Sequence, residues 1–177
     1  MERPMLSRRR FCKIVAAGAA LIPFGGAMAA GMGDRRLRLN NMNTNERLDI
    51  SYYSRGVYNP RALEELNHFL RCHYTGEVTE MDVRIINALS EVQRTVGRDR
   101  TAEVVSGYRS PAYNDYLRRH GRGVARQSLH IAGQAIDFSI PGISNRRLAR
   151  LARSTSAGGI GSYSRFIHID SGPVRSW

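Results

Sequence analysis

The sequence predicts an α+β fold, in which a single small domain is built from a central antiparallel sheet flanked by helices. Apolar residues make up 42% of the chain and charged residues 24%, values that are usual for a globular domain. Short segments that alternate apolar and polar residues are interspersed with longer segments whose apolar residues recur at helical spacing. A chain of 177 residues provides enough apolar residues for one core, so we expect one domain.

The chain opens with the features of an export leader. The paired arginines Arg8 and Arg9 stand before an apolar run, and small residues ending at Ala29 follow. The arginine pair resembles the twin-arginine signal, which directs folded proteins across the inner membrane. We therefore expect residues 1–29 to be a signal peptide that is cleaved after Ala29, with residues 30–177 as the mature domain in the periplasm.

An uncleaved membrane anchor is the alternative interpretation of this leader. Pro23, Gly25 and Gly26 interrupt the apolar run, however, and shorten it below the roughly 20 residues that span a bilayer. We therefore expect cleavage and no stable membrane insertion of the mature chain. Export is expected to follow the twin-arginine route, because the apolar run is weak whereas the arginine pair is well placed.

The first half of the mature chain predicts two strands and two helices. Alternation of apolar and polar residues places strands at 36–40 and 48–52, on either side of an asparagine-rich turn. A helix should begin at Pro60, because Asn59 can cap the free amides and proline fits the first turn. A second helix over 82–96 has apolar residues at helical spacing and ends at a glycine.

The second half of the mature chain predicts three more strands and two more helices. In chain order, we expect a strand at 104–105, a helix beginning at Pro111, a loop over 121–128, a strand at 134–140, a helix at 145–154, a glycine-rich turn at 158–161 and a last strand at 165–170.

Two of these strands present candidate metal ligands. The alternation turns Asp137, with its small neighbours, away from the bulky apolar face of its strand, and it turns His168 and Asp170 away from the core. His130 lies seven residues before Asp137, and Gly133 between them permits a tight return. Two imidazoles and one carboxylate can hold a catalytic zinc ion and leave a fourth position for water. Spacing alone is equally compatible with a loop histidine and an ordinary buried hydrogen bond between Asp137 and His168.

A longer motif surrounds these residues. Ser128-x-His130-x-x-Gly133-x-Ala135-x-Asp137, followed by His168 on a later strand, resembles the zinc peptidases that include D-alanyl-D-alanine carboxypeptidases and dipeptidases. Segments that resemble a periplasmic murein endopeptidase branch of this superfamily extend over nearly the whole chain, at 66–69, 106–110, 123–125, 157–161 and 166–173.

The resemblance implies a fold, a metal and an activity. The fold is the small α+β domain that these peptidases share with the zinc-binding hedgehog signalling domain. One Zn²⁺ per chain is held by His130, Asp137 and His168, and the activity is hydrolysis of peptide cross-links in peptidoglycan. A catalytically silent zinc module that binds the cell wall or a protein partner is the alternative.

Two further residues are candidates for catalysis. Arg109 resembles the family arginine that holds the substrate carbonyl or carboxylate, although a solvated surface arginine is the alternative. Many relatives place an acidic residue or a histidine two or three positions before the final zinc histidine, where this chain has Arg165 and Phe166. Asp170 shares a strand face with His168 and is the nearest acidic candidate for the general base, with an orienting role for His168 as the alternative.

The net charge of +12 indicates a polyanionic partner. Charge alone does not separate peptidoglycan, which carries free carboxylates, from nucleic acid. Arg146, Arg150 and Arg153 share one face of a predicted helix, which either nucleic-acid binding or a solvated polar face explains. Because export argues against nucleic acid, we expect the peptide stems of peptidoglycan as the partner, no nucleic acid, and a monomer.

Overall fold

The computed structural model of the protein describes residues 33–155 and 157–177, which belong to one compact unit. The predicted signal peptide and its cleavage site lie outside the described residues. Within the described part of the chain, no helix combines the length and the apolar character needed to cross a membrane.

An eight-stranded sheet runs through the described residues. Its strands in chain order are β1 (Arg35–Asn41), β2 (Arg47–Ser54), β3 (Val57–Tyr58), β4 (Ala102–Ser106), β5 (Ala135–Ser139), β6 (Gly159–Ser162), β7 (Ile167–Asp170) and β8 (Arg175–Ser176). Their spatial order is β3-β2-β1-β4-β5-β7-β6-β8. The pairs β1–β4 and β6–β8 are parallel, and the other pairs are antiparallel. The α+β class is confirmed, with a sheet that is mainly antiparallel.

Four helices accompany the sheet in the described part: α1 (Pro60–Phe69), α2 (Val83–Val96), α3 (Pro111–Arg119) and α4 (Asn145–Ala152). The predicted helix starts are confirmed by their caps. The Asn59 side chain accepts hydrogen bonds from the first-turn amides of α1, and the Ser110 hydroxyl accepts one from Tyr113. Asp82 caps α2 in the same way, through the Arg84 amide.

The core lies where the helices pack on the sheet. Ile85, Leu89 and Val92 of α2 are buried in the same apolar cluster as Leu148 of α4 and Ile169 of β7. Burial of such side chains contributes about 1.5–3 kcal/mol each to the free energy of folding. This packing supports β5 and β7, the strands that carry two of the candidate ligands.

The strand predictions need three corrections. The segment 158–161 was predicted as a turn but forms most of β6, and the strand at 165–170 is followed by a further strand, β8. The two-residue strand β3 was not predicted. The sequence pattern does not indicate β6 as a strand, because its glycines carry no apolar side chain that could alternate with polar ones. They are needed for close approach, since a Cβ at Gly161 would lie 2.8 Å from the indole of Trp177, and one at Gly159 would overlap the carboxylate of Asp170.

Candidate metal centre

His130 is presented by a tight turn that precedes β5. Amides within the turn donate to the carbonyls of Ser128, Leu129 and His130, and Gly133 takes the left-handed conformation with φ +66°. The predicted tight return at Gly133 is therefore observed. The Nδ1 atom of His130 lies 2.7 Å from the carbonyl oxygen of Gly107. Because a carbonyl only accepts, Nδ1 carries the proton and Nε2 is left with a free electron pair.

Asp137 and His168 are brought together by the register of two antiparallel strands. They are directly paired across β5 and β7, so their side chains project from the same face of the sheet. The His168 Nδ1 atom lies 2.8 Å from Asp137 Oδ1. The other ring nitrogen, Nε2, lies 3.1 Å from Asp170 Oδ2, and this carboxylate oxygen can accept a hydrogen bond from the N–H of Nε2.

The three candidate ligands meet at one point. His130 Nε2 lies 3.2 Å from Asp137 Oδ1 and 3.2 Å from His168 Nδ1. Ligands of a tetrahedral zinc ion, with bonds of about 2.0–2.2 Å, are separated by about 3.3–3.6 Å, slightly more than the 2.8 to 3.2 Å between these atoms. The donor types and their spacing therefore fit zinc, and this His/Asp/His group could hold a metal ion.

Burial and charge shift the pKa values of all three groups. Burial lowers the pKa of His130, against the opposing effect of Asp137. Burial would raise the pKa of Asp137, but the adjacent histidines His130 and His168 hold it well below its usual range. For His168, hydrogen bonds to Asp137 and Asp170 outweigh burial and raise the pKa. The site thus keeps an ionised carboxylate at the meeting point, which favours a cation there.

Asp170 lies behind His168 and is fully buried. Its Oδ1 accepts from the amides of Gly159 and Gly172, each at 2.9 Å, and its Oδ2 accepts from Arg175 Nη2 at 2.7 Å as well as from His168. Both oxygens are therefore occupied by donors. The carboxylate contacts the ring nitrogen of His168 that faces away from Asp137.

Arg109 lies between the end of β4 and the start of α3, close to the carboxylate of Asp137. Its Nη2 atom lies 3.5 Å from Asp137 Oδ2 and 3.3 Å from Ser106 Oγ. Only 7% of its surface is exposed, and its buried Nε has no hydrogen-bond partner. Burial lowers the pKa of Arg109, with partial compensation by Asp137. This placement differs from that of a solvated surface arginine.

The three candidate ligands and Arg109 line a cleft of about 460 Å³. Residues of the loop 121–128 form part of it, and Tyr163, Phe166, Arg175 and Trp177 also line it. Among the described residues of this lining, Asp137 is the single acidic side chain. Sequence reasoning did not include Arg122, Tyr163, Arg175 or Trp177 in the site. The one available signal was that Trp177 is the only tryptophan of the chain.

Comparison with known proteins identifies the family of the chain. The family described as peptidoglycan L,D-endopeptidase MepK matches residues 29–177. A relative of that name from Escherichia coli strain K12 is 36% identical, with both chains covered in full. A probable peptidoglycan L,D-endopeptidase MepK from Haemophilus influenzae is 38% identical over 92% of this chain and 90% of its own length. The chain therefore belongs to the MepK family of peptidoglycan L,D-endopeptidases.

Proposed function

We propose that the protein is a zinc-dependent murein endopeptidase that hydrolyses peptide cross-links in peptidoglycan. The observation that carries the proposal is the convergence of three donor atoms, 2.8 to 3.2 Å apart, beside the wall of an open cleft. The family relatives are named for the same activity. His130, Asp137 and His168 would hold one Zn²⁺, and the peptide stems would occupy the cleft.

Zinc bound there would polarise the scissile carbonyl and make a water molecule acidic enough to ionise near neutral pH. The protein supplies the orientation of the ligands. The hydrogen bonds to Gly107 and Asp170 hold the protons of His130 and His168 on the ring nitrogens that face away from the site. When zinc binds, the other ring nitrogen of each histidine would be free of a proton and could give its electron pair to the ion.

Arg109 is proposed to hold the substrate carbonyl or carboxylate. Its guanidinium lines the cleft beside Asp137, and its burial excludes the water that would screen its charge. A cation held in this way can stabilise the negative charge that develops on the scissile carbonyl oxygen without having to reorient during the reaction.

Asp170 is proposed to position His168. A general base must reach the water whose proton it removes. The fully buried carboxylate of Asp170, whose oxygens accept from two glycine amides, Arg175 and His168, is more suited to orienting the imidazole.

Digestion of defined, cross-linked muropeptide dimers tests the function. We expect the purified wild type to release monomer stems, detected by mass spectrometry, and to leave glycan strands intact. His168→Ala should lose both bound zinc and stem release. His120→Ala is a matched control, because His120 is exposed and packs on Tyr116 outside the cleft. Absence of zinc after reconstitution would contradict the metal assignment, and zinc binding without stem release would favour the silent module.

We also propose that residues 1–29 direct export by the twin-arginine route, so that the enzyme acts in the periplasm where its substrate lies. The arginine pair and the small residues up to Ala29 support this proposal. Fractionation of cells that produce the full chain tests it, as set out in the Discussion.

A further inference from the structure

The indole of Trp177 forms part of the cleft wall. The backbone of Trp177 continues the pairing of β8 with β6, since its amide donates to the Ile160 carbonyl and its carbonyl accepts from the Ser162 amide. The indole lies over Gly161, where a Cβ would come within 2.8 Å of the ring. The side chain therefore occupies a place that β6 leaves open for it.

Three side chains hold the indole in this place. Its Nε1 donates to the hydroxyl of Tyr163 at 2.8 Å. The guanidinium of Arg175 lies 5.1 Å from the ring centroid, within cation–π range. The ring of His168 lies 5.5 Å away. The indole is thus a neighbour of a candidate metal ligand, and its orientation is restrained.

Despite these contacts, Trp177 remains 52% exposed. A restrained, half-exposed indole offers a large apolar surface that loses little conformational entropy when a ligand packs on it. Arg109, Arg122 and Arg175 also line the cleft, where Asp137 is the single acidic side chain among the described residues. Arg109 contacts Asp137, and Arg175 contacts Asp170. The side chain of Arg122 makes no hydrogen bond or ion pair with the described residues, so its charge is available to a ligand. The lining suits a ligand with negative charge and apolar parts.

We propose that Trp177 is the aromatic wall that positions the substrate, by packing on the apolar part of a carboxylate-bearing peptide stem while the arginines of the cleft attract its carboxylates. Tyr163 acts as a positioning residue for Trp177 through the hydrogen bond to Nε1. The identity of this ligand rests on the proposed endopeptidase function. The placement of the wall rests on the contacts of the indole alone.

Fluorescence tests the contact directly, because Trp177 is the only tryptophan of the protein. A soluble stem tetrapeptide with free carboxylates, titrated into the full chain, should change the tryptophan emission in a saturable manner. A flat titration would overturn the proposal. Tyr74→Ala is a control for a general loss of aromatic surface, since Tyr74 is 56% exposed and stacks on Tyr113 outside the cleft. It should bind the tetrapeptide as the wild type does.

Kinetics on muropeptide dimers supply the second readout. Trp177→Ala should raise KM about tenfold while kcat changes little, because packing on the wall stabilises the bound substrate and the transition state alike. Tyr163→Phe should raise KM less, since the indole remains but loses its hydrogen bond. Zinc content and unfolding midpoint should stay near wild type. An unchanged KM in Trp177→Ala, or a loss of activity matched by a loss of zinc, would refute the proposal that Trp177 packs on the substrate.

The two proposals fail in different ways. If the wild type releases no stems, the endopeptidase function fails, and the tetrapeptide titration still decides whether Trp177 contacts a carboxylate-bearing peptide. If the wild type releases stems and the titration is flat, the endopeptidase function is supported and the proposed contact of Trp177 with the substrate is wrong.

Discussion

Replacing Gly133 by alanine should destabilise the fold through two effects, backbone strain and steric overlap, which a control variant can distinguish. Its φ of +66° lies in the left-handed region, where a side chain costs about 1–2 kcal/mol. A Cβ at this position would also lie 2.5 Å from the carbonyl oxygen of Glu80 and 3.0 Å from Cγ2 of Thr79. Real Cβ atoms do not approach backbone this closely, so the turn or the Glu80 segment must move.

Gly121 provides a matched control. Its φ of +65° is nearly the same, but a Cβ there would meet nothing within 4 Å. Gly121→Ala therefore carries only the strain of about 1–2 kcal/mol. Movement at Gly133 would also strain the hydrogen bond from the Asp82 amide to the Gly133 carbonyl, 2.9 Å long, which contributes about 1 kcal/mol. We expect Gly133→Ala to lower the free energy of unfolding by about 2–4 kcal/mol.

Urea unfolding followed by circular dichroism measures both variants against wild type. A difference of about 1–2 kcal/mol between the variants would separate their midpoints by about 0.5–1 M for a typical slope of 2 kcal/mol/M. Gly133→Ala should also weaken zinc binding, because His130 belongs to the same turn. Equal midpoints for the two variants would refute the steric argument, and unaltered zinc affinity would refute the link between the turn and the site.

Four further outcomes are expected. Arg109→Ala should lower stem release by about 10²–10³-fold in kcat while zinc content stays near wild type, and equal rates on muropeptide dimers would contradict its role. Asp170→Asn should weaken zinc binding by about 10–100-fold, and zinc affinity equal to wild type would exclude a positioning role. Replacing Arg8 and Arg9 by Lys should retain the precursor in the cytoplasm, whereas normal periplasmic accumulation would contradict twin-arginine export. The hydrogen bond from Arg84 is the main factor that lowers the pKa of Asp82 to about 2. The ionised carboxylate therefore stabilises the folded state at pH values above the unfolded pKa near 4, and this contribution is lost as the pH falls toward 2. In urea unfolding, Asp82→Asn should be less stable than wild type at pH 7, and the difference in the free energy of unfolding should shrink as the pH falls from about 4 to about 2.

The parts of the site that follow a local pattern were predictable from the sequence. Alternation placed Asp137 and His168 away from the bulky apolar residues of their strands, and the structure pairs them across β5 and β7. The turn at Gly133 was predicted from the same kind of local argument. The placement of Asp137 and His168 was predictable because side-chain direction in a strand has a period of two residues, whatever the rest of the fold.

The remainder depends on contacts between distant segments, which local patterns do not encode. The pairing of β6 with β8 brings Trp177 beside His168, and the glycines that permit it gave the appearance of a turn. The hydrogen bonds of Asp170 likewise depend in part on another strand, since Gly159 donates from β6, whereas Gly172 and Arg175 follow Asp170 closely in the chain. A periodicity argument could place Asp170 on the correct face but not reveal what occupies its oxygens.

The shared carboxylate of Asp170 has a consequence for the genetics of this protein. Gly159, Gly172 and Arg175 all donate to it, and it in turn contacts His168. A random mutagenesis screen should therefore recover inactive alleles at the two glycines that resemble alleles of the metal ligands. Suppressors of such alleles should arise near Asp170 and not in the apolar core. The sequence positions of the glycine alleles alone would not show that they belong to one phenotypic group, whereas their shared contact with Asp170 does.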